Sequence, residues 1–238
     1  MTLSGLQSSV NEMIEKTPQC IGIILDGNRR WAKEKGMPSL QGHRKGLDCL
    51  IDCIKWVRDR KIKNLAVFLF STENWEREAP EVSYLMDLFR EAVKKQLREI
   101  GKENVRVRFV GQRERFSEDL QGLMKEIEGE TEKNDGLTLW ACLSYGGRAE
   151  ITAAAKKIAA SGEEITEESL RGNFWSAGMP DLDILIRTGG EKRVSNFLLW
   201  QAAYAELFFV DEYWPDFSES ILDSILMQYA TRERRMGK

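Results

Sequence analysis

Cys20-Ile-Gly-Ile-Ile-Leu-Asp26-Gly27-Asn28-Arg29-Arg30-Trp31 decides how the chain is read. Five of its first six residues are apolar, which suits a strand buried on both faces of a parallel sheet. A carboxylate, a glycine and an amide then arrive together, followed by two arginines and a helix-forming run. Such a turn offers a metal ligand in Asp26, and free N–H groups on a helix first turn for phosphate oxygens. Asp and Asn also serve ordinary turn chemistry, so this stretch alone leaves both readings open.

The rest of the 238 residues alternates strands and helices. Asn28 is placed to cap a short helix through Lys35, ended by Gly36 and Pro38. Leu47, Leu50, Ile51, Ile54 and Val57 form one face of a helix over 43–60. A strand over 64–70 and a Pro80-initiated helix over 80–100 follow, then a half-exposed strand at 105–110 and a polar helix near 117–133. Strands are expected at 137–144 and 182–186, around an alanine-rich helix that starts after Arg148, with a poorly patterned stretch at 161–180. Residues 195–210 are the most apolar and aromatic part, and a final helix follows Pro215. The alternation predicts an α/β fold: one domain with a parallel-rich central sheet flanked by helices, over residues 18–238. Residues 1–17, with Leu3, Leu6, Val10, Met13 and Ile14 at helical spacing, read as an amphipathic docking helix or a flexible tail.

Composition removes several classes. A net charge of -3 argues against general nucleic-acid binding. The four cysteines, Cys20, Cys49, Cys53 and Cys142, form no Cys-x-x-Cys pair and read as core residues of a reducing, cytoplasmic setting. No apolar run approaches the roughly 20 residues of a membrane span.

Ligands of parallel sheets bind beyond the carboxyl ends of the strands. Those ends are Asp26, Ser71-Thr72-Glu73-Asn74, Tyr145-Gly146-Gly147-Arg148 and Arg187-Thr188-Gly189-Gly190. Arg29, Arg30, Arg77, Arg187 and Arg193 lie at or near this edge, and arginine grips phosphate oxygens with paired donors. Five of them suggest two multiply charged anions. Asp26 is the natural ligand for Mg2+, which typically takes one or two carboxylates plus phosphate oxygens. His43, the single histidine, stands at a helix start where anion contact or a structural role are both open. Trp75 reads either as a surface for an apolar substrate or as a plug of its own loop. Glu206 is an isolated carboxylate in an apolar run, to be explained by an ion pair or by function.

Taken in order, Asp26-Gly-Asn-Arg-Arg-Trp31-Ala, Gly42-His43-x-x-Gly46, Phe70-Ser71-Thr-Glu-Asn74-Trp75 and Tyr145-Gly-Gly-Arg148 resemble the successive motifs of the cis-prenyltransferases. So do Asp183-Ile-Leu-Ile-Arg187-Thr-Gly-Gly-Glu191-x-Arg193-x-Ser195-Asn-Phe, Tyr204-Ala-Glu206-Leu, Trp214-Pro215 and Arg232-Glu-Arg-Arg235. The resemblance runs from about residue 18 to the end of the chain. It implies extension of an allylic diphosphate, usually farnesyl diphosphate, by isopentenyl diphosphate units with cis geometry. The expected product is a long-chain polyprenyl diphosphate, with undecaprenyl diphosphate foremost. By this resemblance Asp26 holds magnesium with the diphosphate and Glu206 assists the metal. Arg187, Arg193 and Ser195 take isopentenyl diphosphate. Gly27, Asn28, Arg30 and His43 surround the allylic diphosphate, with Arg29 and Trp31 as further substrate-binding candidates. Ser71, Asn74, Trp75 and Arg77 align the reacting ends. Proton removal falls to the Asp26–Asn28–Ser71 neighbourhood or to the released diphosphate. An apolar tunnel beside the sheet would hold the growing chain between the helices at 43–60 and 80–100, with Leu137 and Leu139 where a floor would be. The family is homodimeric and makes a lipid used as a cell-wall carrier; the segment 195–210 reads equally as its interface or as core. Peripheral membrane contact through the N-terminal stretch or the basic C-terminus would fit product release.

The sequence departs from the pattern at Ser39, where an arginine usually reaches the starter, and in the short stretch 161–180. Both bear on the starter and on product length, and keep a short- or medium-chain synthase open. A non-catalytic partner subunit would tend to lose Asp26 and the arginines, which are present here. A haloacid-dehalogenase phosphatase would need a second aspartate where Asn28 stands.

Overall fold

The structure, a computed structural model, describes residues 17–232. Six parallel strands form one sheet in the order β3-β4-β2-β1-β5-β6. They are β1 (Cys20–Ile24), β2 (Asn64–Ser71), β3 (Val105–Val110), β4 (Leu137–Tyr145), β5 (Ile184–Arg187) and β6 (Glu206–Phe209). The alternating strands and helices of the sequence are therefore one parallel sheet, as expected. β1 is buried at every position, which its unbroken apolar run requires at the sheet centre.

The helices are α1 (Asn28–Glu34), α2 (Ser39–Asp59), α3 (Ala79–Ala92), α4 (Arg98–Lys102), α5 (Glu118–Glu130), α6 (Gly147–Ser161), α7 (Glu167–Asn173) and α8 (Glu219–Thr231). One turn of π-helix, Val93–Leu97, joins α3 to α4, so the helix expected over 80–100 is continuous but locally unwound. The unpatterned stretch 161–180 holds only the short α7, whose Thr166 accepts a hydrogen bond from the Ser169 amide. Within 195–210 only Glu206–Phe209 is extended, and it forms the sheet edge. Its two-sided apolar run hid a short strand. The amphipathic reading of 1–17 falls almost wholly outside the described residues, as does all of the basic end beyond Arg232.

Two cores cover the sheet. The larger one packs Ile21, Ile23, Leu65, Val67, Leu139 and Ile186 against the helices of one face. The smaller one gathers Cys20, Trp140, Cys142, Leu182 and Leu185 with Phe197 and Leu198 on the other. All four cysteines are buried free thiols, and burial pushes the Cys49 thiol up to about 12. Between the sheet and α2 and α3 the larger face opens into a cavity of about 700 Å³. Leu47, Leu50, Leu85, Leu88 and Leu97 line it from the helices, and Phe109 and Leu139 from the strands. Leu139 thus faces the cavity, whereas Leu137 is buried in the core and is absent from the lining.

Candidate active site

The parallel register explains how residues far apart in the chain meet. Ile24 pairs with Arg187 on one side and with Phe68 on the other. Asp26 therefore leaves β1 beside the end of β5, and its Oδ2 accepts from Arg187 Nη2 at 2.7 Å across 161 positions of sequence. Arg30 Nη2 lies 3.1 Å from the other oxygen. Burial alone would raise the Asp26 carboxyl, but the Arg187 and Arg30 guanidiniums outweigh it and hold it below its ordinary value. Arg187, its side chain 5% exposed, spends its second nitrogen on the Arg193 carbonyl at 2.7 Å and on Ser195 Oγ at 2.6 Å. It thus ties the β5 loop to the Asp26 turn.

Gly27, not Asn28, occupies the cap position of α1, with φ 107°. A Cβ there would lie 2.6 Å from Tyr213 Cδ1, so glycine is required on both counts. Asn28 is the first helical residue; its amide donates to the Leu25 carbonyl at 3.2 Å. Its Oδ1 is buried without a hydrogen-bond partner, close against Gly46 of α2, and the residue lines both cavities. Gly46 on α2 makes room for that oxygen, since a Cβ there would stand 2.2 Å from it.

A second, polar cavity of about 680 Å³ adjoins the first, sharing Asp26, Asn28, His43 and Arg77. Arg29, Arg30 and Lys33 line it, and so does Ser39, the position where the expected arginine is missing. Three of its basic side chains meet at Glu81, a carboxylate that the motif reading passed over. Arg77 Nη1 donates to Glu81 Oε1 at 2.9 Å, His43 Nε2 lies 3.4 Å from the same oxygen, and Arg29 lies 3.6 Å from the other. The four-residue spacing of Arg77 and Glu81 on a helix start was the available signal. Burial and the nearby Arg77 lower the His43 pKa, with Glu81 opposing them.

Ser71 and Asn74 sit together on the mouth of the larger cavity, where the Ser71 N–H donates to Asn74 Oδ1 at 3.0 Å. β2 shifts register against β4 twice in its last residues, which turns this segment toward the site. Arg148 and Asn196 also line the mouth, joined by a 2.9 Å bond from the Arg148 amide to Asn196 Oδ1.

Three expected site residues stand elsewhere. Trp31 is buried in the fold and donates to Asp216 at 2.8 Å, lining neither cavity. Trp75 also lines neither cavity and packs against Phe70 and Phe116, which favours the plug over the substrate surface. Glu206 opens β6 level with Ile184, and Ile184 in turn is level with Ile21. That puts it about 10 Å along the strands and about 10 Å across from the end of β1. Within one chain Glu206 is therefore not brought to Asp26, and it pairs with Arg232 at 2.5 Å. Among the described residues no group of three or more His, Cys, Asp or Glu side chains converges for a metal.

A polar, arginine-rich mouth at the strand ends, opening on an apolar cavity, marks a protein suited to a ligand with an anionic head and a hydrocarbon tail. The comparisons with known proteins agree. The undecaprenyl diphosphate synthase family model matches residues 24–237. An isoprenyl transferase of Neisseria gonorrhoeae is 46% identical over 236 residues, covering 98% of this chain and 95% of that one. A ditrans,polycis-undecaprenyl-diphosphate synthase, farnesyl-diphosphate specific, of Legionella pneumophila is 42% identical, covering 95% and 98%. The crystal structure of lavandulyl diphosphate synthase from Lavandula x intermedia, in complex with dimethylallyl diphosphate, superposes with TM-score 0.91 at 32% identity, covering 94% and 100%. The chain belongs to the undecaprenyl diphosphate synthase family and is a chain-elongating cis-prenyl transferase.

Proposed function

We propose that the protein condenses isopentenyl diphosphate onto farnesyl diphosphate, repeatedly, to give undecaprenyl diphosphate. The observation that carries this reading is the meeting of the two cavities at Asp26, the polar one lined by Arg29, Arg30, His43 and Arg77, the apolar one carrying Arg187, Arg193 and Ser195 among its lining. We assign the allylic diphosphate to the first group, its tail to the cavity, and isopentenyl diphosphate to the second.

In the reaction the allylic C–O bond breaks, the freed carbon bonds to the isopentenyl terminal carbon, and a proton leaves the isopentenyl unit. Arg29, Arg30 and Arg77 offset the charge that grows on the departing diphosphate. Arg187, already oriented by Asp26 and the Arg193 carbonyl, holds the second diphosphate in register with the first. Asp26 is kept ionised by two arginines and is accordingly a weak base, so we assign it charge rather than proton transfer. Ser71 and Asn74 align the reacting ends at the cavity mouth.

Mg2+ fits this donor set as a shared ion and not as a protein-held one. Asp26 supplies one half-buried carboxylate, and Asn28, whose buried Oδ1 has no hydrogen-bond partner, is among the residues of the same pocket. Bound there with diphosphate oxygens, magnesium would supply charge neutralisation of the leaving group. Glu206 is left out of this set.

We further propose a homodimer through β6, the last strand of the sheet, where Tyr204 and Leu207 are 66% and 41% exposed and the outer strand edge has no partner among the described residues. The setting we infer is cytoplasmic, with product passed to a membrane surface. Among the described residues no helix is long and apolar enough to cross a membrane.

Purified protein with Mg2+, farnesyl diphosphate and labelled isopentenyl diphosphate should yield labelled polyprenyl diphosphate of undecaprenyl length on chromatography. A shorter product selects the short- or medium-chain alternative. No label transferred to any starter from dimethylallyl to geranylgeranyl diphosphate overturns the reading.

A further inference from the structure

Trp75 is held by four residues that line neither cavity, Phe70, Arg115, Phe116 and Ser144. It stands in the single turn Thr72–Glu76, between Asn74 and Arg77. Its indole N–H donates to Ser144 Oγ at 2.9 Å. The Arg115 guanidinium carbon lies 4.8 Å from the ring centroid, Phe70 meets the ring edge-on at 4.9 Å, and Phe116 lies tilted at 5.4 Å.

Ser144 is itself an unusual residue. It is fully buried at the end of β4 with φ 49°, a left-handed conformation that a side chain disfavours. Gln112 fixes it twice: its N–H donates to the Ser144 carbonyl at 3.1 Å, and its Oε1 accepts the Ser144 hydroxyl at 3.3 Å. The hydroxyl proton therefore goes to Gln112, and the oxygen is left to accept from Trp75. The next residue, Tyr145, is the register partner of Ser71. Ser71 in turn is bonded to Asn74. One rigid path runs from Gln112 through Ser144 and Trp75 to the two residues at the cavity mouth.

We propose that Ser144 and Arg115 are positioning residues for the transfer reaction, acting through Trp75 to set where Ser71 and Asn74 stand against the Asp26–Arg187 pair. Trp75 is an anchor for this turn and not a contact for substrate. The inference rests on the site reading given under Proposed function.

The test is a kinetic double-mutant cycle. Ser144→Gly removes the CH2OH group, and the acceptor with it, and suits the left-handed backbone; Trp75→Phe keeps a ring and removes the N–H. Each should lower kcat about tenfold, the size expected for one lost hydrogen bond. The double variant should be no slower than the slower single one, because both remove the same bond. KM for each diphosphate should stay within about twofold, and the melting temperature of Ser144→Gly should not fall, which a merely structural serine would not combine with a kcat loss. Arg115→Gln should also lower kcat, and Arg115→Lys should recover most of it. Wild-type kcat in Ser144→Gly, losses that multiply in the double variant, or a loss confined to KM for the allylic diphosphate would each overturn the proposal. Asp26→Ala in the same assay separates the two levels. Wild-type turnover there defeats the site reading and this inference with it, whereas an inactive Asp26→Ala beside an unaffected Ser144→Gly defeats only the positioning role.

Discussion

Replacing Asp26 by alanine should unsettle the fold as well as the chemistry. From the sequence, Asp26 is a surface turn residue that contributes little to the core, so its loss would leave the fold intact. In the structure its carboxylate is 27% exposed and is the partner of a guanidinium that is 5% exposed. A charge-assisted hydrogen bond of this kind contributes about 1.5–3 kcal/mol. The Arg30 contact at 3.1 Å is more exposed and adds at most about 1 kcal/mol. Arg187 keeps its bonds to Arg193 and Ser195, so the alanine variant does not strand a wholly unpaired charge. The sum is about 1.5–4 kcal/mol, which for a domain of this size corresponds to a melting temperature lower by about 3–16 °C. Asp26→Asn keeps an acceptor and should lose about half as much. The difference between wild type and Asp26→Ala also carries a pH signature. Because the folded carboxyl lies below its ordinary value, its contribution is complete above the unfolded value of 3.8 and fades as pH falls through the folded one. Thermal melts from pH 7 down to pH 3, paired with turnover at neutral pH, make the assay. Turnover should fall by about a thousandfold or more in both variants. A melting temperature unchanged within about 1 °C at pH 7 would refute the buried-pair argument, whatever the activity.

Two further outcomes follow from the second pocket. His43 is the chain's single histidine, so one NMR cross-peak reports it without ambiguity. Burial and Arg77 should place its titration midpoint below 6.5, and saturating pyrophosphate should move the midpoint up as anionic charge replaces Glu81 among the cations; an unmoved midpoint would take the allylic diphosphate away from this pocket. Gly46→Ala ought to stabilise an ordinary helix interior, but here the new Cβ meets Asn28 Oδ1 at 2.2 Å. Chemical denaturation should show a loss of about 1–3 kcal/mol, with a higher KM for the allylic substrate, and a gain in stability would show that Asn28 moves aside freely.

The alternation of apolar runs with amphipathic ones was enough to read the parallel sheet, and the sheet alone named the edge where a ligand would bind. Asp26, Arg187, Arg77, Ser71 and Asn74 were legible for that reason: each directly follows a strand or lies within a few residues of its end. Side chains that depend on facing direction were not. Trp31 and Trp75 stood in motifs with the right neighbours, yet their rings turn into packing, because local spacing says nothing of which way a residue on a tight turn points. Glu206 looked like a site carboxylate because it interrupts an apolar run; strand register, a property of pairing between distant segments, set it at the other end of the sheet beside Arg232. Glu81 and Ser144 escaped notice from the opposite cause. A glutamate on a helix start and a serine in a strand are ordinary in sequence, and only the converging cations around one and the left-handed backbone of the other mark them. The one-dimensional pattern thus determined the fold class and the chemistry of the strand ends, since both follow from burial and chain direction. The tertiary structure decided which of those groups share a pocket, since that depends on register and on the side to which each chain end turns.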